Sequence, residues 1–251
     1  MAIKTRKISD WLSANGQAVT NASKATMEDA IRTDIGQLYD GVFIMFHRKS
    51  DNYPLAVRVS SWASYQTGGE IAEGVLLVEG GKHLVIAPTE ASSAKWSSKP
   101  VSSSDTSGSV QISGVTTTSD RIAALNDFAG RANTTAIING STSSNVTNTE
   151  DYAAGFCNRY SRTNANGKGL TAGRWWLPSM GEMAMIWANF DKINYALSKI
   201  NGATQLQTTW YWTSTQRSAT YAWYLHLNAG YVGNLYKFNQ LRVRPVSAFL
   251  Y

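Results

Sequence analysis

The segment from Leu177 to Ile200 contains the pattern that most restricts how this 251-residue chain can fold. In LPSMGEMAMIWANFDKINYALSKI, Ser179 and Glu182 have the spacing of a capping box directly after Pro178. Apolar side chains then recur at helical spacing along the whole segment: Met183, Ile186, Trp187, Phe190, Ile193 and Leu197. We therefore expect one helix that packs on a sheet or another helix, with its aromatic residues in the core.

The segments around this helix have the pattern of short β-strands. After Gly202 the chain contains TWYWTST, YAWYLHL, YVGNLYKF and RVRPVSAF, rich in aromatic and β-branched residues, with Gly230 and Gly233 at expected bends. Earlier, AEGVLLVEGGKHLVIAP has two apolar runs around Gly80 and Gly81, which predicts a hairpin with a two-glycine turn. Helices and antiparallel strands in separate segments predict an α+β protein.

Two further helices and a loop complete this part of the chain. SDRIAALNDFAG spaces Ile122, Leu125 and Phe128 helically and is expected to end at Gly130. EDYAAGFCNRY places Cys157 on an apolar helical face, which favours a buried, inert thiol over a nucleophile. Residues 89 to 119 are rich in Ser and Thr and predict a long loop, with Trp96 attaching it to the core.

Residues 1 to 68 differ from the rest and are interpreted as an attachment or assembly region. TMEDAIRTDIGQLYDG predicts an amphipathic helix over 26–40 with one apolar stripe, formed by Met27, Ile31, Ile35 and Leu38. The runs VFIMF and LAVRVSSW that follow are typical of strands.

Composition and motifs exclude several classes of function. The net charge of +6 comes from scattered basic residues, so we expect no nucleic-acid binding. No apolar run is long enough for a signal peptide or a membrane span, so we expect synthesis in the cytoplasm and no membrane insertion. Cys157 is the only cysteine, and neither a phosphate loop nor a calcium-binding motif occurs, so we expect no cofactor and no metal. The three histidines lie in no nucleophile motif, so we expect no enzyme, although a glycosidase-type carboxylate pair stays open.

Five motifs in sequence order resemble those of a C-type-lectin-like domain: DYAAGFCNRY, GRWWLPSMGEM, YWTST, AWYL and RVRPVSAF. The resemblance covers residues 69–251 and extends to the variable proteins of diversity-generating retroelements. In that family, error-prone reverse transcription of a template diversifies codons near the end of the gene while the fold is retained. The resemblance therefore implies a ligand-binding C-type-lectin-like domain with a variable surface over about 208–246.

The same resemblance divides this C-terminal stretch into framework and displayed positions. The framework positions are Trp212, Ser214, Thr215, Ala222, Trp223, Gly230, Val243, Arg244 and Pro245. The candidate ligand-binding positions are Gln216, Arg217, Ser218, Tyr221, Tyr224, His226, Asn228, Tyr231, Asn234, Tyr236, Phe238 and Leu241, to which Lys237 and Gln240 are possible additions. Alternation along YLHLN independently predicts that Tyr224, His226 and Asn228 share one face, and tyrosine, serine and asparagine are the residues that antibody loops use for contact.

These expectations describe an adhesin or receptor-binding protein whose partner is a host cell-surface protein or glycan. Without a secretion signal, a phage tail-fibre tip is favoured, assembled as a homo-trimer or with other tail proteins and carried in the virion. The alternatives left open are a bacterial surface protein of the same fold without diversification and a structural virion component.

Overall fold

The computed structural model describes residues 40–98, 111–140 and 148–249. The helix predicted over 26–40 lies outside the described residues except for Asp40. The described chain forms twelve strands, six α-helices and a 3-10 helix at Val59–Ser61, which confirms the α+β class.

Along the chain, groups of strands alternate with groups of short helices. The strands are β1 Gly41–His47, β2 Pro54–Arg58, β3 Gly74–Glu79, β4 Lys82–Ile86, β5 Ala91–Lys95, β6 Arg162–Thr163, β7 Gly169–Leu170, β8 Trp210–Gln216, β9 Tyr221–His226, β10 Tyr231–Tyr236, β11 Gln240–Val243 and β12 Val246–Ser247. The helices are α1 Trp62–Thr67, α2 Arg121–Leu125, α3 Gly130–Asn139, α4 Ala153–Arg159, α5 Met180–Ala188 and α6 Phe190–Leu197.

The first five-stranded sheet joins the beginning and the end of the described chain. Its strand order is β12-β4-β3-β1-β2, and its pairings are antiparallel. The β3–β4 hairpin turns at Gly80 and Gly81, whose φ angles are +55° and +75°. Because side chains disfavour positive φ, two glycines fit this turn, and the predicted hairpin is confirmed.

The second five-stranded sheet contains most of the predicted C-terminal strands. Its order is β10-β9-β8-β11-β5, with β11 parallel to β8 and the other pairs antiparallel. Strand β5 lies within residues 89 to 119, so the prediction of one long loop there is wrong for Ala91–Lys95. Trp96 directly follows β5 and is buried, which confirms that it attaches this segment to the core.

The helix predicted over 179 to 200 begins as expected and is then interrupted. Glu182 accepts a hydrogen bond from the backbone N–H of Ser179 at 2.8 Å, as a capping box requires. The chain divides into α5 and α6 at Asn189, whose side chain donates to Glu79 in β3. Trp187 is 41% exposed two residues before this break, and its predicted burial is wrong.

The helix predicted to end at Gly130 is also shorter than its apolar spacing indicates. Asp120 accepts hydrogen bonds from the backbone N–H groups of Ile122 and Ala123 and caps α2, which ends at Leu125. Ile122 is 71% exposed and Phe128 is 38% exposed, so these side chains do not form a buried stripe.

The boundary predicted at residue 68 does not separate two packing units. Strand β1 pairs with β3 over five residue pairs, so the chain on both sides of residue 68 shares one sheet. Ile44, Phe46 and Trp62 are fully buried in the same core cluster as Ile186 and Trp223. Residues 41–68 are therefore part of the main fold, which corrects the predicted domain division.

Candidate functional site

The register of β8, β9 and β10 assigns the predicted displayed residues to two faces of one sheet. Trp210 of β8 and Tyr231 of β10 both pair with His226 of β9, and Trp212 and Gly233 both pair with Tyr224. Residues paired across neighbouring strands point to the same side, and side chains alternate along each strand. His226 and Tyr224 therefore lie on one face of β9.

The opposite face of β9 carries different residues. Trp223 and Leu225 belong to the large core that includes residues of α5 and α6. Tyr224 belongs to a second core cluster, with Ile137 of α3 and Cys157 of α4. We call these the Trp223 face and the Tyr224 face. Burial raises the pKa of the Cys157 thiol well above its usual range, in agreement with an inert thiol.

Four aromatic side chains form a patch at the end of the Tyr224 face, and we call Trp210, Tyr224, His226 and Tyr231 the Trp210 patch. The ring centroid of Trp210 lies 5.5 Å from that of Tyr224 and 6.0 Å from that of His226. Trp210 is 43% exposed and Tyr231 is 55% exposed, while Tyr224 lies beneath them at 7%. Two large aromatic rings thus face solvent on a buried aromatic base.

The position of Tyr224 depends on a glycine in the neighbouring strand. A Cβ atom at Gly233 would lie 2.4 Å from the hydroxyl oxygen of Tyr224 and 2.8 Å from the ring of Tyr231. Gly233 is a residue within β10 and not a bend, which corrects the sequence interpretation. Its missing side chain allows the ring of Tyr224 to cross β10, with its centroid 6.3 Å from that of Tyr231.

A second group of aromatic residues lies at the other end of β9 and on its other face. We call Arg217, Tyr221, Tyr236 and Phe238 the Tyr221 patch. The rings of Tyr221 and Tyr236 are 4.4 Å apart, Tyr236 stacks on Phe238 at 5.5 Å, and the Arg217 guanidinium lies 5.7 Å from the Tyr221 ring centre. A hydrogen bond with Tyr236 raises the pKa of the Tyr221 hydroxyl.

The two patches are separate surfaces. Tyr221 and His226 are five positions apart in extended chain, a separation of about 17 Å along β9. Asn234 pairs with Trp223 and so belongs to the Trp223 face, whereas Asn228 is exposed after the end of β9. The sequence predicted one displayed surface, and the structure corrects this to two surfaces that point in different directions.

Three of the predicted displayed residues are buried. Tyr224 is largely covered, Leu241 is 7% exposed in the core cluster of α3 and α4, and Gln216 is fully buried. Gln216 accepts a hydrogen bond from the backbone N–H of Ile112 and donates to its carbonyl oxygen. These side chains maintain the fold, which corrects their predicted display.

Lys237 was a possible addition to the displayed set and is also buried. Its Nζ donates to Gln216 Oε1 at 2.6 Å and lies 4.4 Å from the ring centre of Trp96. Burial lowers the pKa of the Lys237 ammonium from 10.5 to about 7.

Gln240, the other possible addition, is exposed and accepts a hydrogen bond from Ser93. The remaining predicted position, Ser218, is half-buried and accepts backbone hydrogen bonds within the β8–β9 turn.

Trp210 is the residue of the Trp210 patch that the sequence interpretation missed. It lies two residues before Trp212, which is fully buried on the same face, so alternation alone indicated a core position. The signal that identifies it is its pairing with His226 at the end of the sheet, where α3 and α4 no longer cover the face.

Most of the predicted framework positions are buried. Trp212, Ser214, Thr215, Ala222, Val243 and Arg244 are fully buried, and Trp223 is 3% exposed. The indole N–H of Trp223 donates to the Thr118 carbonyl oxygen at 2.9 Å. Gly230 has a φ of +64°, and a Cβ there would lie 2.3 Å from the ring of Trp187.

Charged residues inside the molecule form structural networks away from both patches. Glu90 forms 2.8 Å ion pairs with Arg242 and with the fully buried Arg244, and it accepts a hydrogen bond from the Tyr211 hydroxyl. Burial raises the pKa of that hydroxyl above its usual range. Glu73 is fully buried, accepts a hydrogen bond from the backbone N–H of His47 and lies 2.8 Å from its Nδ1.

Glu182 lies at the floor of an open groove beside Phe128, Arg131 and Trp176. Burial raises the pKa of its carboxyl from 4.5 to about 7, although it accepts hydrogen bonds from Ser179 and Trp176.

Within residues 40–98, 111–140 and 148–249, no three His, Cys, Asp or Glu side chains are grouped so that they could hold a metal ion. No helix in these ranges is both long and apolar enough to cross a membrane.

Comparison with known proteins gives little beyond this geometry. No family model matches the sequence. A search of curated proteins finds no match. Among solved structures, the chain is similar to a crystal structure of a fimbrial protein from Bacteroides ovatus, with 21% identity and a TM-score of 0.47. The similarity covers 66% of this chain and 36% of that protein, so the chain spans about a third of its length.

Proposed function

We propose that this protein is a ligand-binding protein of the adhesin or receptor-binding type, and that the Trp210 patch is its principal contact surface. The observation that carries the proposal is the row formed by Trp210, His226 and Tyr231 across three adjacent strands. Two of its three rings face solvent, although large aromatic residues are usually buried. Exposed tryptophan and tyrosine on a rigid sheet are the side chains that most often anchor protein interfaces.

The packing beneath the Trp210 patch favours binding over a purely structural role. Tyr224 and Gly233 fix the base of the patch, and the strands on both sides hold Trp210 and Tyr231 in register. Because these side chains are held before contact, little conformational entropy is lost when a ligand binds. The Tyr221 patch offers a second contact area with an arginine and three aromatic rings, facing the other way.

We further propose that the domain is C-type-lectin-like and that the contact positions are diversified by a retroelement, in a protein carried at a phage tail tip. The sequence motifs carry this finer proposal, because their framework residues are the buried ones and most positions between them reach solvent. The partner would be a host cell-surface protein or glycan.

Sequencing this gene across a population of its source tests the proposal. Diversification predicts that substitutions concentrate at the codons of Trp210, His226, Asn228 and Tyr231 and of the Tyr221 patch, at the bases where the template repeat has adenine. Codons for Tyr211 and Thr213, which contain adenine and encode fully buried residues of β8, should stay constant as matched controls. A uniform spread of substitutions over both sets would reject diversification and favour the alternative of an undiversified surface or virion protein.

Binding is tested separately from diversification. The purified protein is applied to a panel of bacterial cells, and any strain that it labels is then challenged with the Trp210→Ala and Tyr231→Ala variants. We expect both to lose labelling, while the control Tyr53→Ala, at a similarly exposed tyrosine outside the patches, retains it. Full labelling by both patch variants would contradict the proposed site.

A further inference from the structure

An apolar groove of about 510 Å³ lies between α6 and the N-terminal end of β1, away from both patches. It is lined by Val42, Val59, Ser60, Asp191, Lys192 and Tyr195. Val42 and Val59 pack against the large core from its edge, and Tyr195 of α6 is 57% exposed. The groove is therefore a continuation of the core that opens to solvent.

The described chain begins next to this groove. Val42 is the second residue of β1, and Asp40 is held by a hydrogen bond from the backbone N–H of Gly80 to its carboxylate at 3.1 Å. Leu38 and Val42 are four positions apart, so their Cα atoms are at most about 14 Å apart. The segment before β1 therefore begins within reach of the groove.

The sequence of this segment provides a matching apolar surface. Residues 27–38 have the stripe Met27, Ile31, Ile35 and Leu38, and a helix of that length is about 18 Å long. The adjacent helix α6 has eight residues, or about 12 Å, so the two are of comparable length. Arg32 and Asp34 flank the stripe, and Asp191 and Lys192 line the groove. Each of the two surfaces therefore carries one acidic and one basic side chain that could pair with the other surface.

We propose that residues 27–38 of the same chain cover this groove, with their apolar stripe against Val42, Val59 and Tyr195 and alongside α6. The segment that the sequence identifies as an attachment region would then be fixed to the folded core at one face. Its other, polar face would remain available for assembly. This proposal is independent of ligand binding by the two patches.

Hydrogen exchange on the full chain tests the proposal. The double variant Ile31→Glu and Ile35→Glu places two carboxylates in the stripe, and the control Thr33→Glu with Gln37→Glu places the same charge on the polar face. We expect the first variant, and not the control, to speed exchange of amides within residues 27–38 and 190–197 by about tenfold or more. The groove variant Tyr195→Glu should speed exchange over 27–38 and leave β8 to β10 unchanged.

Two outcomes would overturn the proposal. Exchange of residues 27–38 at unprotected rates in the unmodified chain would mean that the segment does not cover the groove. Protection that appears only at high protein concentration, together with a doubled mass by light scattering, would make a second copy the occupant. Since Tyr195 is exposed, its variant is expected to fold, so loss of global structure does not confuse the result.

Discussion

Trp223 and Tyr224 are adjacent in β9, and their side chains serve different parts of the molecule. Trp223 is buried in the core beneath α5, with its indole N–H bonded to the Thr118 carbonyl oxygen. Tyr224 lies on the opposite face, where its ring supports Trp210 5.5 Å away. The alternation of a single strand thus separates residues that stabilise the fold from those that form an exposed surface.

Replacing Trp223 should destabilise the protein strongly. Trp223→Ala removes a buried large aromatic side chain and leaves a cavity, which we expect to lower the free energy of unfolding by about 3–5 kcal/mol. Urea denaturation followed by circular dichroism measures this change. The control Tyr231→Ala, at an exposed ring in the next strand, should lower stability by about 0.5 kcal/mol. Equal effects of the two variants would contradict the assigned faces.

The ion pairs of Glu90 give a second stability prediction. Glu90→Gln removes the carboxylate that pairs with the fully buried Arg244 and leaves its charge uncompensated. We expect a loss of about 3–5 kcal/mol in chemical denaturation. Arg242→Gln breaks the other pair of Glu90, but its side chain is 31% exposed, so the loss should be below about 1 kcal/mol. A larger loss of stability for Arg242→Gln than for Glu90→Gln would contradict the greater weight given to the Glu90–Arg244 pair.

Stability should have a minimum near neutral pH because two buried groups titrate there in opposite directions. The carboxyl of Glu182 has its pKa raised from 4.5 to about 7, so the folded state binds more protons between these values and stability falls as pH rises. The Lys237 ammonium has its pKa lowered from 10.5 to about 7, so the unfolded state binds more protons above pH 7 and stability rises.

Urea midpoints measured from pH 4.5 to pH 10 test this minimum. Glu182→Gln should flatten the acidic limb, and Lys237→Met should flatten the alkaline limb, each changing stability by at most a few kcal/mol because one pKa unit is worth ~1.4 kcal/mol. If both variants keep the profile of the unmodified protein, other groups are responsible for the pH dependence.

The sequence identified the elements that depend on local signals. The capping box at Ser179 and Glu182 and the glycine turn at Gly80 and Gly81 are encoded by neighbouring residues, and both are present. The break at Asn189 was not predictable, because it depends on a hydrogen bond to Glu79, 110 residues away in the chain. Strand β5 was missed because the sequence ASSAK has low strand propensity and is held by β11.

The displayed residues were predicted less well for a related reason. The residue types in the C-terminal block were suitable for contact, but the burial of Gln216 and Leu241 depends on the loop at Ile112 and on α3 and α4. Alternation correctly placed Tyr224 and His226 on one face. Only the register of three strands shows that Tyr221 and Tyr236 belong to the other face and that Trp210 completes the patch.

The position of β1 and β2 changes what truncation should do. A chain that begins at Ile71 loses two of the five strands of the first sheet together with the buried Ile44, Phe46 and Trp62. We expect it to show no cooperative thermal transition in calorimetry. A chain that begins at Asp40 keeps both strands and should unfold cooperatively. Cooperative unfolding of the shorter chain would restore the domain boundary at residue 68.

The separation of fold from recognition is tested most directly by one variant measured in two ways. The triple variant Trp210→Ser, His226→Ser and Tyr231→Ser removes the row of three rings above Tyr224 in the Trp210 patch. Tyr53→Ser, Ile122→Ser and Phe128→Ser form a control at exposed large side chains elsewhere. Thermal melting and labelling of a strain bound by the unmodified protein are recorded for both. We predict that both variants lose about 2 kcal/mol or less and that only the patch variant loses labelling. Unfolding of the patch variant, or full labelling by it, would contradict the assignment of the Trp210 patch as the ligand-contact surface.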